Sequence, residues 1–230
     1  TGVFQAAFVH RTCRGQGAGG LRFWNYDTLG DLVRDGLRLA RGMTHKNALA
    51  GLWWGGGKGV MARGTGAEDR SPEVRKRIFE EYGEFVTSLA GVYITAEDVG
   101  TRPEDMAAIF SKTRFVTCIP PAVGGSGNPS AATARGVVRG IEAALAHRGL
   151  GKIQGKSVAV QGLGHVGEAL IGYLRERGVA RIVGADVDPA RAARIVQAYP
   201  DLDLDLRVVE RGDNSVLESL VDVLAPCATG

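Results

Sequence analysis

The pattern of apolar and polar residues predicts alternating strands and helices. Residues 2–10 and 21–24 are rich in β-branched and aromatic side chains, which is typical of strands. Residues 27–41 carry apolar side chains at helical spacing, which predicts a helix with Asp27 and Thr28 at its cap. The apolar positions of that predicted helix are Leu29, Val33, Leu37 and Ala40.

Strand-like and helix-like segments also alternate from residue 71 to residue 147. Ser71 and Pro72 begin a predicted helix that runs to about Ala90, because proline is favoured in the first turn of a helix. The further predictions are strands at 92–95 and 115–119, a helix that begins at 103–106, and a long helix at 131–147. Residues 120–130 are rich in Gly, Pro and Ser, so we expect one domain at 1–130 and a second at 131–230.

The second half of the chain has the strand, turn and helix of a dinucleotide-binding unit. Residues 156–161 form a predicted strand that leads into Gly-x-Gly-x-x-Gly at 162–167, and a helix is predicted over 168–177. In this motif the first glycine makes the turn, the second lets the backbone approach a pyrophosphate, and the third packs the helix against the strand. A βαβ turn that binds nothing is the alternative.

The next predicted strand, at 181–185, ends at Asp186, which lies 24 positions after Gly162. That spacing is near the value of about 20 expected for an acid that binds a ribose 2′-hydroxyl, and such an acid also repels a 2′-phosphate. The sequence therefore favours NAD over NADP. The candidate cofactor-binding residues of this region are Gly162, Gly164, His165, Val166, Gly167 and Asp186.

The last segments complete a Rossmann half. Residues 189–198 are a predicted helix, and 206–209 and 221–225 are predicted strands. Ligands bind at the carboxyl ends of strands in open α/β sheets, so the loop at 226–230 is a candidate lining of the cofactor site. Cys227 lies in that loop, and we interpret it as lining because no histidine or acid is placed to activate it as a nucleophile.

In the first half, Lys58 interrupts a run of glycines at 55–59. Glycine lets the backbone come very close to a neighbour, and the apolar residues 52–54 predict a partly desolvated lysine with a lowered pKa, which can act as a base near neutral pH. A Walker phosphate loop is excluded, because Gly59 stands where Ser or Thr is needed to bind magnesium. A glycine turn with an exposed lysine is the open alternative.

Two further sets of charged residues are candidates for chemistry. Lys46 and Lys58 lie on either side of the apolar segment, and two lysines that converge on one pocket would suit an anionic substrate. Two unrelated surface lysines are the alternative. Glu97 and Asp98 follow the predicted strand at 92–95, where acids are often catalytic and also often cap the next helix. We expect one of the two to be the cap.

Composition narrows the class of protein. Hydrophobic residues are 44% and charged residues 23% of the 230, which is ordinary for a soluble globular protein. A net charge of +3, with basic residues spread along the chain, argues against a nucleic-acid partner. The three cysteines form no CxxC metal pair and no disulfide set, so we expect no metal and a cytoplasmic location. No apolar run is long enough to span a bilayer, so we expect no membrane partner. The chain starts with Thr1 and stops just after an apolar strand, so we expect a fragment.

The order of motifs resembles the Glu/Leu/Phe/Val dehydrogenases, and among them the leucine, phenylalanine and valine branch. The matching segments are residues 19–22, 43–48, 55–58, 95–101, 125–130, 162–167 and 225–228. The resemblance implies an α/β fold with an N-terminal substrate (dimerisation) domain followed by a Rossmann dinucleotide-binding domain. It also implies a homo-oligomer that uses NAD to deaminate an apolar L-amino acid oxidatively and reversibly, giving the 2-oxo acid and ammonia.

The resemblance further implies roles for single residues. Lys46 would bind the substrate α-carboxylate, Lys58 would activate the water that attacks the imine, and Asp98 would carry protons to and from the nitrogen. Thr133 would contact the nicotinamide side of the cofactor, and Cys227 would line the same site. A cleft between the two domains would close and exclude water before hydride transfer.

The substrate side chain is the point at which this sequence differs from the glutamate-specific members. Those proteins carry a lysine just before Gly-Gly-x-Arg, whereas this chain has Ala18, which cannot pair a carboxylate but can line an apolar pocket. Gly19 and Gly20 would approach the substrate by their backbone. Trp53 and Trp54 stand where the family usually has smaller or less aromatic residues, which leaves the shape of the pocket open.

Other functions are compatible with parts of the pattern. A non-catalytic NAD-binding regulatory protein on the same fold is one alternative, although it has no need for Lys46, Lys58 and Asp98 together. A glutamate dehydrogenase, or a Rossmann enzyme acting on another amine or a hydroxy acid, is a second. Convergence of those three side chains in one cleft is the observation that would discriminate between them.

Overall fold

The computed structural model describes residues 2–64 and 71–228. The chain divides into two compact units, residues 1–129 and 130–230, called here unit 1 and unit 2. Thr229 and Gly230, at the end of the predicted cofactor loop, lie outside the described residues. Within the described ranges no helix is long and apolar enough to cross a membrane.

Unit 1 is a five-stranded sheet with helices packed against it. Strand β4 lies inside the sheet, with β1 antiparallel on one side and β2 and β3 parallel to it; β5 pairs in parallel with β2. The elements are β1 (Gln5–Arg11), β2 (Gly17–Ala18), β3 (Leu21–Trp24), α1 (Leu29–Leu49), β4 (Gly55–Ala62), α2 (Pro72–Ser88), β5 (Tyr93–Ile94), α3 (Pro103–Phe110) and a 3-10 turn (Pro121–Val123).

The glycine run at 55–59 forms strand β4, so the alternative of a glycine turn is wrong. Glycine is needed because helices approach the strand closely. A Cβ at Gly56 would overlap Thr44 Oγ1 in α1, and a Cβ at Gly59 would overlap the hydroxyl of Tyr82 in α2. The missing side chains therefore let two helices pack directly on the strand that carries Lys58.

Helix α1 differs from its prediction in length and in the face it buries. It starts after the predicted cap Thr28, but it continues beyond Arg41 to Leu49. Three of the four predicted core positions, Leu29, Val33 and Leu37, are exposed. The buried residues are Leu32, Gly36, Ala40 and Asn47. A Cβ at Gly36 would overlap the ring of Phe8, so the close contact with the sheet selects the face with small residues over the more apolar one.

Two predictions after β5 are also wrong. The segment 115–119 is not a strand, because only Val116 forms a bridge, to Thr95, and the backbone turns away at Cys118 with a φ of 60°. Neither Glu97 nor Asp98 caps the next helix. That helix, α3, follows Arg102, whose backbone N–H donates to the carboxylate of Asp105 at 3.0 Å.

Unit 2 is a four-stranded parallel sheet with the strand order β8-β7-β6-β9. In order of appearance this is 3-2-1-4, the arrangement of a Rossmann fold, so the predicted α/β class is confirmed. Its elements are α4 (Ser130–His147), β6 (Ser157–Gln161), α5 (His165–Glu176), β7 (Arg181–Asp186), α6 (Pro189–Ala198), β8 (Asp203–Val208), a 3-10 turn (Ser215–Glu218) and β9 (Val223–Pro226).

Helix α5 starts earlier than predicted, and this affects the cofactor motif. The first helical residue is His165, and Gly164 is the N-cap. The second half of the glycine motif is therefore the first turn of the helix rather than a loop before it. Its backbone N–H groups point away from the helix at this end, as a bound anion requires.

Candidate functional site

The buried amine of Lys58 and the half-buried carboxylate of Asp98 form an ion pair in unit 1. Lys58 lies in the buried strand β4 and is only 5% exposed, so the alternative of an exposed lysine is wrong. Asp98 lies in the loop after β5. Lys58 Nζ donates a hydrogen bond to Asp98 Oδ2 at 2.5 Å. The two residues are 40 positions apart in the chain, and the sheet brings them together.

The surroundings change the proton affinity of both groups. Burial lowers the pKa of Lys58 below its usual 10.5, although the nearby carboxylate of Asp98 opposes this. Burial by itself would raise the pKa of Asp98, but the positive charges of Lys58 and Arg22 hold it below its usual 3.8. The pair therefore joins a carboxylate that stays ionised to an amine that loses its proton more easily than a free lysine.

The glycines before β3 make room for this pair. Gly19 and Gly20 interrupt the strand between β2 and β3. A Cβ at Gly20 would lie 2.8 Å from Asp98 Cβ and 2.7 Å from the carbonyl oxygen of Glu97, and a Cβ at Gly19 would overlap the carbonyl oxygen of Gly57. The loop that carries Asp98 can approach β4 only because both positions lack a side chain.

Lys46 and Ala18 lie in the same unit. Ala18 is buried in β2, whereas Lys46 is exposed in the last turn of α1. Asn47, next to Lys46, is buried and donates to the carbonyl oxygens of Gly55 at 2.6 Å and Ala18 at 3.4 Å. Lys58 is buried in β4, whereas Lys46 is exposed at the end of α1. The convergence of the two lysines on one substrate therefore stays a prediction.

Glu97 has a different role from its neighbour. It is 9% exposed, and its Oε1 accepts a hydrogen bond from Asn128 Nδ2 at 2.7 Å, while its buried Oε2 has no partner among the described residues. Burial raises the pKa of Glu97 to about 7, with a contribution from nearby acids. Glu97 thus anchors the end of unit 1, just before α4, as an acid that takes up a proton near neutral pH.

The sequence reasoning gave no role to the residues that support Asp98. Arg22 Nε lies 3.5 Å from Asp98 Oδ2, and Arg22 Nη1 donates to Asp35 in α1 at 2.9 Å. The hydroxyl of Tyr26 donates to the same Asp35 oxygen at 2.9 Å. Arg22 could have been singled out because it belongs to the Gly-Gly-x-Arg motif. No sequence motif pointed to Asp35 or Tyr26.

In unit 2 the glycine motif has the shape that a dinucleotide needs. Gly162 has a φ of +87°, which favours glycine, and a Cβ at Gly167 would overlap the carbonyl oxygen of Gly162. By contrast, a Cβ at Gly164 would meet only Arg191 Nη1, at 3.5 Å. The first and third glycines are therefore fixed by the fold itself, and the second one faces open space at the start of α5.

Asp186 is at the end of β7, as predicted, and its carboxylate is already bonded. It accepts backbone N–H groups from Leu163 at 2.7 Å and Asp188 at 2.9 Å, and it lies 3.3 Å from Arg191 Nη1. Burial alone would raise the pKa of Asp186, but these two amides and Arg191 hold it below 3.8. The acid is thus ionised and fixed beside the glycine turn.

The other predicted cofactor residues lie around the same turn or at the start of α4. His165 is exposed and Val166 is half-buried in the first turn of α5, and Thr133 is exposed in the first turn of α4. Cys227 is half-buried, and its backbone N–H donates to Gln161 at 2.7 Å. Burial raises the pKa of the Cys227 thiol, which agrees with a lining role rather than a nucleophile.

These features define the class of the protein. A parallel Rossmann sheet carries the glycine turn with an acid at the next strand end, and a separate α/β unit carries a buried lysine paired with a half-buried aspartate. The comparisons with known proteins agree with both. The model of the Glu/Leu/Phe/Val dehydrogenase dimerisation domain matches residues 2–115, and that of the Glutamate/Leucine/Phenylalanine/Valine dehydrogenases matches residues 124–190.

Individual relatives show the same similarity. The leucine dehydrogenase of Bacillus subtilis (strain 168) is 43% identical over 223 residues, which are 96% of this chain and 58% of that protein. The valine dehydrogenase of Streptomyces coelicolor is 37% identical over 233 residues, covering 100% of this chain and 61% of that protein. The crystal structure of L-tryptophan dehydrogenase from Nostoc punctiforme superposes with a TM-score of 0.65 at 32% identity, covering 98% of this chain and 60% of that one.

The chain belongs to the Glu/Leu/Phe/Val dehydrogenase family, as the motifs implied. It spans about 60% of the length of these relatives.

Proposed function

We propose that this chain is part of an NAD-dependent dehydrogenase that converts an apolar L-amino acid and water into the 2-oxo acid and ammonium, in a reversible reaction. The observation that carries the proposal is the pair of buried Lys58 and half-buried Asp98, which holds a carboxylate and an easily deprotonated amine 2.5 Å apart. The names of the relatives, which are leucine, valine and tryptophan dehydrogenases, support an apolar substrate.

The two side chains have complementary tasks in such a reaction. Lys58, as the free amine, takes a proton from the water that attacks the imine carbon. Asp98 accepts and returns protons at the substrate nitrogen, and its hydrogen bond to Lys58 lets a proton pass between them. Lys46, exposed at the end of α1, binds the α-carboxylate. Gly19 and Gly20 offer backbone groups beside Asp98.

Unit 2 fits NAD by its own geometry. The open space at Gly164 and the start of α5 suit a pyrophosphate, and the fixed carboxylate of Asp186 suits the two ribose hydroxyls. His165, Val166, Thr133 and Cys227 complete the proposed binding residues. When bound, NAD supplies the acceptor for the hydride that leaves the substrate.

Ala18 supports an apolar side chain on the substrate. It is buried in β2 directly before Gly19, and it has no charge to pair with a second carboxylate. A glutamate side chain would therefore lose its hydration without gaining a partner. The description of residues 2–115 as a dimerisation domain supports a homo-oligomer.

The test is NADH formation by the intact protein with L-leucine, L-valine, L-phenylalanine and L-glutamate. We expect turnover of at least one apolar amino acid, with L-glutamate at least about tenfold poorer in kcat/KM. A preference for glutamate would contradict the Ala18 argument. Tight NAD binding without turnover of any amino acid would instead favour a regulatory protein on the same fold.

A further inference from the structure

The carboxylate of Asp98 is shared by two positive charges. Its Oδ2 accepts from Lys58 Nζ at 2.5 Å, and the same oxygen lies 3.5 Å from Arg22 Nε. The Arg22 side chain is 14% exposed, so water screens this charge only weakly. Arg22 is therefore a permanent cation 3.5 Å from the partner of the proposed base, and it acts there by its charge, since Nε makes no hydrogen bond among the described residues.

Arg22 is itself held in place from the opposite side. Its Nη1 donates to Asp35 Oδ2 at 2.9 Å, and the hydroxyl of Tyr26 donates to the same oxygen at 2.9 Å. Arg38 binds the other oxygen of Asp35 at 3.1 Å from the exposed face of α1. Burial and the contact with Asp35 raise the pKa of Tyr26, so Tyr26 stays a neutral donor. Asp35 and Asp98 thus hold the guanidinium group from two sides, and Tyr26 and Arg38 in turn hold Asp35.

We propose that Arg22 is the positioning residue of the proton-transfer pair: it orients Asp98 as an anion and favours the neutral amine of Lys58. This inference rests on the proposed function, because it assumes that the pair transfers protons. Arg22 does not itself touch the reacting atoms in this proposal. It acts through Asp98 and through its charge.

The charges around Lys58 give the direction of the effect. Asp98 and Asp35 are negative and favour the ammonium form, whereas Arg22 is positive and disfavours it. Glu97, the next residue to Asp98, hydrogen-bonds Asn128 instead. Without Arg22, the two acids Asp98 and Asp35 would still act on Lys58. The pKa of Lys58 would then rise, and less free amine would exist at neutral pH.

The experiment compares the pH dependence of kcat/KM for the wild type and for Arg22→Met, Arg22→Lys and Arg34→Met. In the wild type, kcat/KM should rise with pH as Lys58 loses its proton. We expect this rising limb of the pH profile to move to higher pH by roughly one unit in Arg22→Met. Arg22→Lys retains the charge, so its limb stays near the wild-type position while kcat falls. Arg34 is an exposed residue of α1 paired only with Asp31 in the described part of the chain, and Arg34→Met controls for the loss of one charge elsewhere.

A uniform fall in activity with no shift of the limb in Arg22→Met would overturn the proposal, because a purely structural role scales the whole profile. So would an equal shift in Arg34→Met. Thermal unfolding identifies any variant that fails to fold. If Arg22→Met does not fold, Arg22→Lys is compared with the wild type instead, and we expect an unshifted pH profile with a reduced kcat.

A second readout does not need activity. In protein labelled at the lysine side chains, the NMR signal that is missing from Lys58→Met reports the titration of Lys58 directly. The Lys58 titration should lie below the usual lysine range in the wild type and at higher pH in Arg22→Met. An unchanged titration contradicts the role of Arg22, whereas a shifted titration in a protein without dehydrogenase activity contradicts only the proposed function.

Discussion

Asp98 in unit 1 and Asp186 in unit 2 are two carboxylates near strand ends that the fold keeps ionised by different means. Burial opposes ionisation in both. The pKa of Asp98 is held down by the side-chain charges of Lys58 and Arg22, whereas that of Asp186 is held down by the backbone amides of Asp188 and Leu163, with help from Arg191. One acid depends on partners that a mutation can remove, and the other depends on the turn itself.

The difference matches the chemistry proposed for each region. A proton-transfer site needs groups whose charge can change, and side chains from distant segments provide them. A nucleotide site needs fixed donors and one fixed acceptor, which a short glycine turn provides from its backbone. Substitutions should therefore affect turnover in unit 1 and affinity in unit 2.

The largest effect is expected for Lys58→Met. This variant removes the amine and leaves the half-buried carboxylate of Asp98 beside Arg22. We expect kcat for an apolar amino acid to fall by about 10³-fold or more, with the Kd for NAD unchanged within twofold. Lys76→Met, at an exposed position of α2, is the matched control and should keep wild-type kcat. Residual activity above one tenth of wild type would remove Lys58 from the mechanism.

Asp98→Asn should be the next largest. The amide retains the shape but cannot take up a proton, so we expect kcat to fall by about 10²-fold or more. The loss of the negative charge should also lower the pKa of Lys58 further, since Asp98 is the main group that raises it. Initial rates across the pH range measure both effects, and an unaltered kcat would show that Asp98 is structural.

Asp186→Asn tests the acid of unit 2 in the same way. It removes the charge next to the glycine turn and keeps one acceptor oxygen. Because Leu163 and Asp188 donate to different oxygens of Asp186, only one of these two amides retains its partner. We expect the Kd for NAD to rise by about tenfold and kcat at saturating NAD to change by less than twofold. Calorimetry and initial rates measure these quantities. A fall in kcat as large as that of Asp98→Asn would mean that the two acids do not differ in role.

The smallest effect concerns stability, through Glu97. The pKa of Glu97 is about 7 in the folded chain, against an ordinary value of 4.5. Protonated Glu97 therefore contributes fully to the free energy of unfolding below about pH 4.5, and this contribution is lost as the pH rises through about 7. Glu97→Gln keeps an acceptor for Asn128 and carries no charge. We expect it to be more stable than the wild type by about 1 kcal/mol at pH 8 and equal to it at pH 4. Chemical denaturation at both pH values measures this, and equal stability at pH 8 would contradict the shifted pKa.

The contiguous features were predictable from the sequence. The strand, the glycine turn and Asp186 follow each other within residues 156–186, so spacing alone located them. The burial of Lys58 was one of two interpretations that the sequence allowed, the other being an exposed lysine in a glycine turn. Burial could be inferred because glycines and apolar residues surround Lys58. These cases succeeded because the residues that determine the structure are neighbours in the chain.

The remaining features depend on tertiary contacts. The buried face of α1 was mispredicted because Gly36 and Ala40 permit close approach to the sheet, which outweighs the larger apolar area of Leu29 and Leu37. The support of Asp98 by Arg22 links residues 76 positions apart, so no local pattern reveals it. The unusual Trp53 is 80% exposed, and Arg14 stacks over its ring at 5.1 Å.

The most direct test of the division between the two regions is the Kd for NAD of the wild type, Lys58→Met and Gly164→Val. At Gly164 a Cβ meets only the end of Arg191, at 3.5 Å, and enters the space proposed for the pyrophosphate, so we expect the fold to tolerate valine while the cofactor does not. We predict unchanged affinity in Lys58→Met and a loss of about 100-fold or more in Gly164→Val. Equal binding by all three proteins, or a weakening by Lys58→Met that matches Gly164→Val, would contradict the account.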